Sequence, residues 1–322
     1  MNDRSLEVLE QYEIDVMGTK KGRGAVLVET GQGYMVLKEY NGSAGRIDYE
    51  EELLLKINDM NMISVDTPIR NKENMLISKL DDGSSYILKK WYVGRECDVK
   101  QMCDIYEGAK NLGILHQCMN KVAITAQVPK ESENIYEEYY KYNRELKRVR
   151  NYIRNKNKRN QFELDILKHF DTFYGLAQAA AFELEKICAN SVYEQSLKLT
   201  HGNYNYHNII FTGNKVAVIN FESSKRQLQI VDVYNYLRKV MEKYQWNEQI
   251  GIKLLECYND MNNISDKDRR ILRILLSYPE KFRKVVNHYY NSNKAFIPDK
   301  SIEKLQQVIS FQEHKSSFML KI

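Results

Sequence analysis

Residues 199 to 211 read Leu199-Thr200-His201-Gly202-Asn203-Tyr204-Asn205-Tyr206-His207-Asn208-Ile209-Ile210-Phe211, and residues 216 to 222 read Val216-Ala217-Val218-Ile219-Asn220-Phe221-Glu222. Both pieces combine a short apolar run, typical of a buried strand, with a polar segment rich in Asn and His. The two apolar runs are only a few residues apart, as they are in a hairpin. The pattern therefore predicts a polar loop followed by a hairpin over residues 201–222.

The polar residues in this segment are spaced like those of a phosphotransferase catalytic loop followed by a metal-binding strand end. In such sites, a His-x-Asp is followed five residues later by Asn, and an apolar strand ends in Asp-Phe-x. The first Asp accepts the proton of the substrate hydroxyl, while the Asn and the second Asp hold the Mg²⁺ ions. Here the base position is Asn203, the metal position is Asn220, and only Asn208 keeps its expected side chain. The spacing is retained, but both carboxylates are absent.

These motifs resemble the signature of aminoglycoside phosphotransferases and choline kinase-like enzymes, which is His-Gly-Asp-x-x-x-x-Asn followed by Ile-Asp-Phe-Asp. Within that superfamily, the chain is similar to the CotS-type spore coat proteins of endospore-forming bacteria. The likeness continues through most of the chain, in residues 86–98, 236–241, 278–282, 287–291 and 294–298. Together and in this order, the segments form a specific signal.

The resemblance implies an α+β, protein-kinase-like fold with two lobes. A small N-lobe, residues 1–93, would hold an antiparallel sheet with one helix. A large helical C-lobe, residues 94–322, would carry the degenerate catalytic loop at 201–222. The residues themselves agree, because strand-like runs at 24–30 and 34–40 flank Gly31-Gln32-Gly33.

Further patterns support both lobes. A second hairpin is predicted for residues 75–80 and 85–89 across Asp81-Asp82-Gly83, and a helix whose apolar face carries Ile47, Leu54 and Ile57 lies between the two hairpins. From residue 98 onward the periodicity is helical. It predicts helices at 99–118, almost without a break at 133–195, at 230–244, and further on to about residue 320, with interruptions near Pro279 and Pro298.

The composition is that of an ordinary globular protein, with 43% hydrophobic and 28% charged residues among 322. No apolar run approaches the roughly 18 residues of a membrane span. The polar, acidic first thirteen residues lack the apolar core of a secretion signal. Five widely spaced cysteines predict reduced, packed thiols in a cytosol and show no zinc-binding spacing.

Lys38, in Val36-Leu37-Lys38, is predicted to be the strand lysine that reaches nucleotide phosphates and pairs with a helical glutamate. Its partner would be Glu50 or Glu51, and Glu50 is favoured because it shares the helix face of Ile47 and Leu54. The glycine-rich segment 18–24 lacks the G-x-G-x-x-G spacing, so an ordinary hairpin turn is the better interpretation. Lys38 and Glu50 would then form a vestigial nucleotide site.

Asn203 and Asn220 argue against catalysis. A carboxamide cannot take a proton in this pH range, and the loss of a general base costs roughly 10²–10⁴ in rate. Asn220 also removes a charge from a Mg²⁺ site, which usually needs one or two carboxylates. On an extended strand, Glu222 would point the same way as Asn220. A vestigial metal site would therefore consist of Asn208, Asn220 and Glu222.

Asp232 and His201 have structural interpretations. Asp232 precedes an apolar-periodic helix and could act as its N-cap or dipole partner, and the resemblance implies that it braces the catalytic-loop backbone. The resemblance also implies that His201 orients that loop. Neither residue belongs to a Ser/His/Asp or Cys/His arrangement.

Residues 142–159 hold eight basic residues and a single acidic one, Glu145. Nucleic-acid binding is not expected, because the whole chain has a net charge of only +5. Val149, Tyr152 and Ile153 indicate one apolar stripe of an amphipathic helix. The basic face is predicted to be solvated or to contact coat partners.

The resemblance implies a structural or assembly component of the bacterial spore coat, with a pseudokinase cleft and no required cofactor. Such a protein would be made in the mother-cell cytoplasm, then join other coat proteins in the spore coat. Two alternatives remain open. One is an active small-molecule or protein kinase that uses ATP, Mg²⁺, Asn208 and Glu222. The other is a non-catalytic nucleotide- or sugar-binding module.

Overall fold

The computed structural model describes residues 3–22, 24–128, 134–189, 195–213, 215–291 and 299–322. The predicted likeness at 294–298 and the interruption at Pro298 lie outside these residues. The chain divides into two units: the first contains Met1–Lys130, Lys198–Tyr236 and Cys257–Asn262, and the second contains Glu131–Leu197, Leu237–Glu256 and Asn263–Ile322. The lobe boundary after residue 93 remains a prediction.

The strands are, in chain order, β1 (Val16–Lys21), β2 (Val26–Thr30), β3 (Gly33–Glu39), β4 (Ser64–Val65), β5 (Pro68–Ile69), β6 (Ser78–Lys79), β7 (Ser85–Lys90), β8 (Arg95–Glu96), β9 (Lys198–Thr200), β10 (Ile209–Thr212), β11 (Lys215–Val218) and β12 (Lys225–Gln227). The α-helices are α1 (Asp3–Leu9), α2 (Ala44–Asp59), α3 (Met102–Lys121), α4 (Ile135–Arg154), α5 (Gln161–Cys188), α6 (Ile230–Met241), α7 (Glu248–Asn259), α8 (Asp266–Ser277), α9 (Glu280–Asn291), α10 (Asp299–Ser310) and α11 (Gln312–Met319). The predicted α+β fold is confirmed.

The first unit is built on an antiparallel sheet in the order β1-β2-β3-β7-β5, with β6 also paired to β7. The β2–β3 hairpin is confirmed, and Gly33 takes the positive φ of 110° that its turn requires. The second predicted hairpin forms between β6 and β7, although β6 keeps only two paired residues. Val28, Leu37 and Leu88 from three neighbouring strands share one core cluster.

Helix α2 follows the β3 strand and is capped by Ser43, whose hydroxyl accepts a hydrogen bond from the Arg46 amide at 3.3 Å. Its predicted apolar face is confirmed, since Ile47, Leu54 and Ile57 are buried. The same face also buries Glu50, which places a carboxylate inside the first unit.

The polar loop and hairpin predicted for residues 201–222 are confirmed. Strands β10 and β11 pair in antiparallel register, and β4 and β8 complete their sheet. The spacing of Met102, Ile105, Ala109, Leu112 and His116 predicts one helix face; α3 buries the last four, while Met102 is 40% exposed. These elements hold the polar loop within the first unit.

The second unit is helical. The stretch predicted to be helical almost without a break, 133–195, contains two helices, because α4 ends at Arg154 and α5 begins at Gln161. Asn160 starts α5 with a capping box: its side chain accepts from the Glu163 amide and the Glu163 carboxylate accepts from the Asn160 amide, each at 2.9 Å. This reciprocal cap fixes the start of a second helix, which packs against α4.

All five cysteines are free thiols, and three of them are buried. Among the described helices, none is both long enough and apolar enough to cross a membrane.

Candidate functional site

Two lysines from neighbouring strands of the first unit point to the same face of the sheet. In the β3–β7 register, Val36 lies opposite Lys89 and Lys38 lies opposite Ile87. Opposed residues share a face and side chains alternate along a strand. Lys38 and Lys89 are therefore neighbours on one face, and the predicted site has two cations rather than one.

Lys89 is the lysine that pairs with the helical glutamate. Its ammonium lies 2.6 Å from Glu50 Oε1 and 2.8 Å from Asp66 Oδ2, and all three side chains are at most 1% exposed. The predicted Lys38–Glu50 pair is thus replaced by a Lys89–Glu50 pair. We call Lys89, Glu50 and Asp66 the buried charge cluster.

The buried charge cluster contains more acceptors than donors. Among the described residues, Glu50 Oε2 and Asp66 Oδ1 are buried without a hydrogen-bond partner. Burial raises the pKa of Glu50 above its ordinary value although Lys89 opposes the shift. For Lys89, burial lowers the pKa, but the carboxylates of Asp66 and Glu50 outweigh it and raise the pKa. Lys89 is therefore a fixed cation that holds the two carboxylates together.

Lys38 instead contacts Asn220, at the position predicted to bind a metal. Its ammonium donates to Asn220 Oδ1 and lies 3.2 Å from Glu222 Oε1. The Asn220 amide nitrogen in turn donates to Asn208 Oδ1 at 2.8 Å. The Asn208 amide nitrogen donates to the Asn203 carbonyl oxygen at 2.9 Å. Lys38, Asn220, Asn208 and the Asn203 backbone thus form one chain of direct hydrogen bonds, which we call the amide chain.

The backbone at Asn220 differs from the predicted extended strand. Strand β11 ends at Val218, and Asn220 has a positive φ of 69°, a region that Asn enters more easily than most residues. Its amide N–H donates to Asp66 Oδ2 at 3.0 Å, which anchors this turn to the buried charge cluster. The side chains of Asn220 and Glu222 nevertheless both contact Lys38. The turn brings them together, not the alternation of side chains along an extended strand.

Glu222 is ionised in this setting. Burial opposes its ionisation, but the ammonium groups of Lys89 and Lys38 lower the pKa of Glu222 to about 2. The Arg46 guanidinium also donates to the Glu222 carbonyl oxygen at 2.5 Å. Both the side chain and the backbone of Glu222 are therefore committed to cations of the protein itself.

Asp232, in the first turn of α6, binds the loop backbone. Its Oδ2 accepts from the His201 amide at 2.7 Å and its Oδ1 accepts from the Gly202 amide at 3.0 Å. Gly202 has a φ of 79°, and a Cβ there would collide with the Ser223 carbonyl oxygen. The loop thus needs a glycine at 202 and a buried acceptor at 232.

His201 is fully buried and acts as a structural bridge. Its Nε2 lies 3.1 Å from the Ile219 carbonyl oxygen, and its Nδ1 accepts from the Asn203 amide at 3.2 Å. Burial lowers the pKa of His201 although Asp232 opposes the shift. The imidazole is therefore neutral, with its proton on Nε2, and joins the loop to the β11 end.

Asn203 is exposed, at the position where a catalytic base would stand. Its side-chain oxygen accepts from the Asn205 amide nitrogen at 3.4 Å. An amide in this place can orient a hydroxyl but cannot remove its proton. The loop therefore keeps the backbone contacts of His201 and Gly202 but has no carboxylate that could accept a proton at residue 203.

The oxygens that would bind Mg²⁺ are already used. Asn208 Oδ1 accepts from Asn220, Asn220 Oδ1 accepts from Lys38, and Glu222 Oε1 pairs with Lys38. Within the described ranges, no group of three or more His, Cys, Asp and Glu side chains is placed to hold a metal ion. The residues present do not fit a Mg²⁺ ion that would bridge nucleotide phosphates.

Sequence reasoning missed Lys89, Asp66 and the contact between His116 and Asp232. Lys89 adjoins Lys90 on a strand, and nothing local distinguishes the buried lysine from the exposed one. Asp66 lies in the mixed segment Ser64-Val65-Asp66-Thr67-Pro68, which carries no signal that marks it. His116 lies on its predicted helix face, and its Nε2 is 3.2 Å from Asp232 Oδ2. Asp232 therefore receives a third contact.

The family model described as "Spore coat putative kinase YutH" matches residues 6–322. The chain belongs to this family. A curated relative, spore coat protein S of Bacillus subtilis, is 24% identical over 336 residues, which cover 98% of this chain and 93% of the relative.

Solved structures place the YutH-family chain in the aminoglycoside phosphotransferase fold. An aminoglycoside phosphotransferase from Alicyclobacillus acidocaldarius has a TM-score of 0.82 at 14% identity, with 98% of this chain and 94% of that one covered. AMP-bound spectinomycin phosphotransferase APH(9)-Ia has a TM-score of 0.67 at 15% identity, with coverage of 96% and 97%. At these identities the likeness shows the fold alone.

Proposed function

We propose that this YutH-family chain is a structural or assembly component of the spore coat whose kinase-like cleft transfers no phosphate. It would reach the coat from the mother-cell cytoplasm and bind other coat proteins through its surface. No nucleotide or metal is required in this proposal. The observation that carries it is the amide chain, in which Asn208 and Asn220, at the predicted metal positions, bind each other and Lys38.

The amide chain supports this proposal for a physical reason. Two carboxylates that face each other are both hydrogen-bond acceptors, and so are a carboxylate and an amide oxygen. Either pair needs a metal ion or a proton between its oxygens. Asn220 supplies a donor as well as an acceptor, so it satisfies Lys38 and Asn208 directly. The cleft can therefore fold without a metal ion. These hydrogen bonds hold it together although the carboxylates that would bind Mg²⁺ are absent.

An active kinase is the second candidate, and it depends on Glu222. To hold a metal, Glu222 would have to leave Lys38, which lies at 3.2 Å and lowers its pKa together with Lys89. A nucleotide- or sugar-binding module without turnover is the third candidate, and to bind a nucleotide it also needs Lys38 to be released. The active kinase and the nucleotide-binding module both have to break the contacts of Lys38 that the structural proposal keeps.

The basic face of α4 is the surface best suited to coat contacts. Arg150 is committed elsewhere, because it pairs with Asp171 at 3.0 Å and lies over the Phe170 ring. Lys156 pairs with the buried Glu163 at 2.5 Å. The cations that remain available to a partner are exposed, and we call them the α4 basic face: Arg144, Lys147, Arg148 and Arg154.

Replacing the four residues of the α4 basic face by Gln should reduce deposition of the protein in the coat. Each exposed ion pair contributes up to about 1 kcal/mol, so the loss of four cations should lower the coat-bound fraction several-fold. The paired change Lys38→Met and Glu222→Gln should leave deposition unchanged, because it alters the cleft only. Immunoblotting of coat extracts from sporulating cells that carry each variant as the sole copy provides the measurement.

A matched control neutralises four exposed lysines on other elements, namely Lys110, Lys253, Lys267 and Lys321. This control has the same change in net charge and should deposit like the native protein. A cleft variant that fails to enter the coat, next to an α4 variant that enters normally, would contradict the proposal.

A further inference from the structure

The second unit contains a cavity that the proposed function does not use. Its volume is about 380 Å³, which lies within the roughly 300–1,000 Å³ range of small-molecule sites. It is lined by residues from α5, the end of α6 and the segment after it, the start of α9, and helices α10 and α11. Phe173, Trp246 and Phe311 give it aromatic walls. Lys38 and Asn220 belong to the other unit.

Lys315 lines this cavity, which we call the Lys315 cavity, and its ammonium lies next to the Trp246 wall. The residue is only 9% exposed. Its Nζ donates to the Tyr278 carbonyl oxygen at 3.1 Å and lies 5.4 Å from the centre of the Trp246 ring. Within the described part of the chain it forms no ion pair. A lysine ammonium has three donors, so this cation can still bind an acceptor.

The acidic residues of the lining are largely neutralised by other partners. Glu242 pairs with Arg238 at 2.6 Å and with Lys281 at 2.9 Å. Glu280 pairs with Arg283 at 2.8 Å and with Lys284 at 3.1 Å. Glu303 is the remaining acidic residue of the lining.

Basic residues outnumber that remaining carboxylate. Lys243, Lys300 and Lys304 line the cavity and are exposed, while Lys315 is buried. The lining therefore combines exposed lysines, a buried cation and aromatic side chains.

We propose that the Lys315 cavity binds a small organic carboxylate with a flat, apolar body. The carboxylate would pair with Lys315, and the apolar body would contact Trp246 and Phe311. Burying an ammonium without a counter-ion is unfavourable, and a bound anion would offset that cost. An aromatic acid matches both the charge and the walls, whereas a neutral or cationic ligand would leave Lys315 uncompensated.

The protonation state of Lys315 is compatible with this role. Burial lowers its pKa to about 8, with Glu242 and Glu280 acting against the shift and Arg238 adding to it. At neutral pH the ammonium form therefore still predominates. It is weakly solvated and ready to accept an anionic partner. This inference is independent of whether the cleft transfers phosphate.

The test uses 2-naphthoate as the probe and 2-naphthamide as its uncharged analogue, each titrated into the full chain at pH 7 and followed by calorimetry. We expect one naphthoate per chain and binding of naphthamide weaker by about tenfold or more, since the amide cannot form a charge-assisted hydrogen bond with Lys315. Lys315→Met should weaken naphthoate by a similar factor. Lys253→Met, an exposed lysine on α7, should leave it unchanged.

Melting curves show whether Lys315→Met is folded, and the comparison of the two probes on the native chain does not depend on that variant. Equal affinity for naphthoate and naphthamide would overturn the proposal. So would the absence of naphthoate binding to the native chain up to its solubility limit, or unchanged naphthoate affinity in a folded Lys315→Met variant.

Discussion

Replacing Lys89 by Met should lower the free energy of unfolding by about 3 to 5 kcal/mol at pH 7, the cost of breaking a buried ion pair on one side. Lys89 is fully buried and is the cation shared by Glu50 at 2.6 Å and Asp66 at 2.8 Å. Without it, two carboxylates remain in the core with no positive partner at those distances. Urea-induced unfolding, followed by circular dichroism, measures the loss.

Lys90→Met is the matched control, because Lys90 lies next to Lys89 on β7 and is exposed. It should change stability by no more than about 0.5 kcal/mol. Equal effects of the two substitutions would show that the buried charge cluster does not stabilise the first unit.

The deficit of Lys89→Met should also shrink as the pH falls from 7 toward 5. Burial already raises the pKa of Glu50 in the native chain, and loss of Lys89 removes the cation that opposed this shift. A carboxyl group whose folded pKa lies above its unfolded value stabilises the fold at low pH and destabilises it as the pH rises. If the stability difference between the native chain and Lys89→Met grew as the pH fell, Lys89 would not be the cation that offsets the buried carboxylate of Glu50.

Replacing Asp232 by Asn should cost about 1.5 to 3 kcal/mol, because hydrogen bonds to a charged acceptor are lost and a buried donor is created. The two carboxylate oxygens of Asp232 accept from the amides of His201 and Gly202, and His116 lies 3.2 Å away. An amide group turns one of these acceptors into a donor that faces another N–H. Amide hydrogen exchange at His201 and Gly202 should become faster.

Asp171→Asn serves as the control for Asp232. Asp171 is 78% exposed and pairs with Arg150, so its loss should cost no more than about 1 kcal/mol. If Asp232→Asn is as mild as Asp171→Asn and exchange at His201 is unchanged, the loop does not depend on Asp232.

The sequence predicted the secondary structure of the first unit well, because local signals were strong there. Gly33 marked the β2–β3 turn, and the spacing of Ile47, Leu54 and Ile57 marked α2. The break between α4 and α5 was missed although Asn160 and Glu163 carry the spacing of a capping box. Periodicity alone could not reveal it, since both sides of the break are good helix formers.

The sequence identified most residues of the candidate site but not which of them form ion pairs. Which of two lysines meets Glu50 depends on the β3–β7 register, where Val36 faces Lys89. A hydrophobic pattern does not determine that register across a gap of fifty residues. The turn at Asn220 was likewise hidden, because its positive φ depends on the anchor from Asp66. The Lys315 cavity requires helices that are far apart in the chain.

The most direct measurement compares Mg²⁺-ATP binding and phosphate transfer by the native chain with those of the double variant Asn203→Asp and Asn220→Asp. We expect the native chain to show neither transfer nor a Mg²⁺-dependent rise in melting temperature. The double variant should melt at a slightly lower temperature without ligand, because Asn220→Asp removes the amide donor to Asn208 and adds a second carboxylate that competes with Glu222 for Lys38. It should then be stabilised by Mg²⁺. Low-micromolar binding of Mg²⁺-ATP by the native chain, abolished by Lys38→Ala, would contradict a cleft that transfers no phosphate.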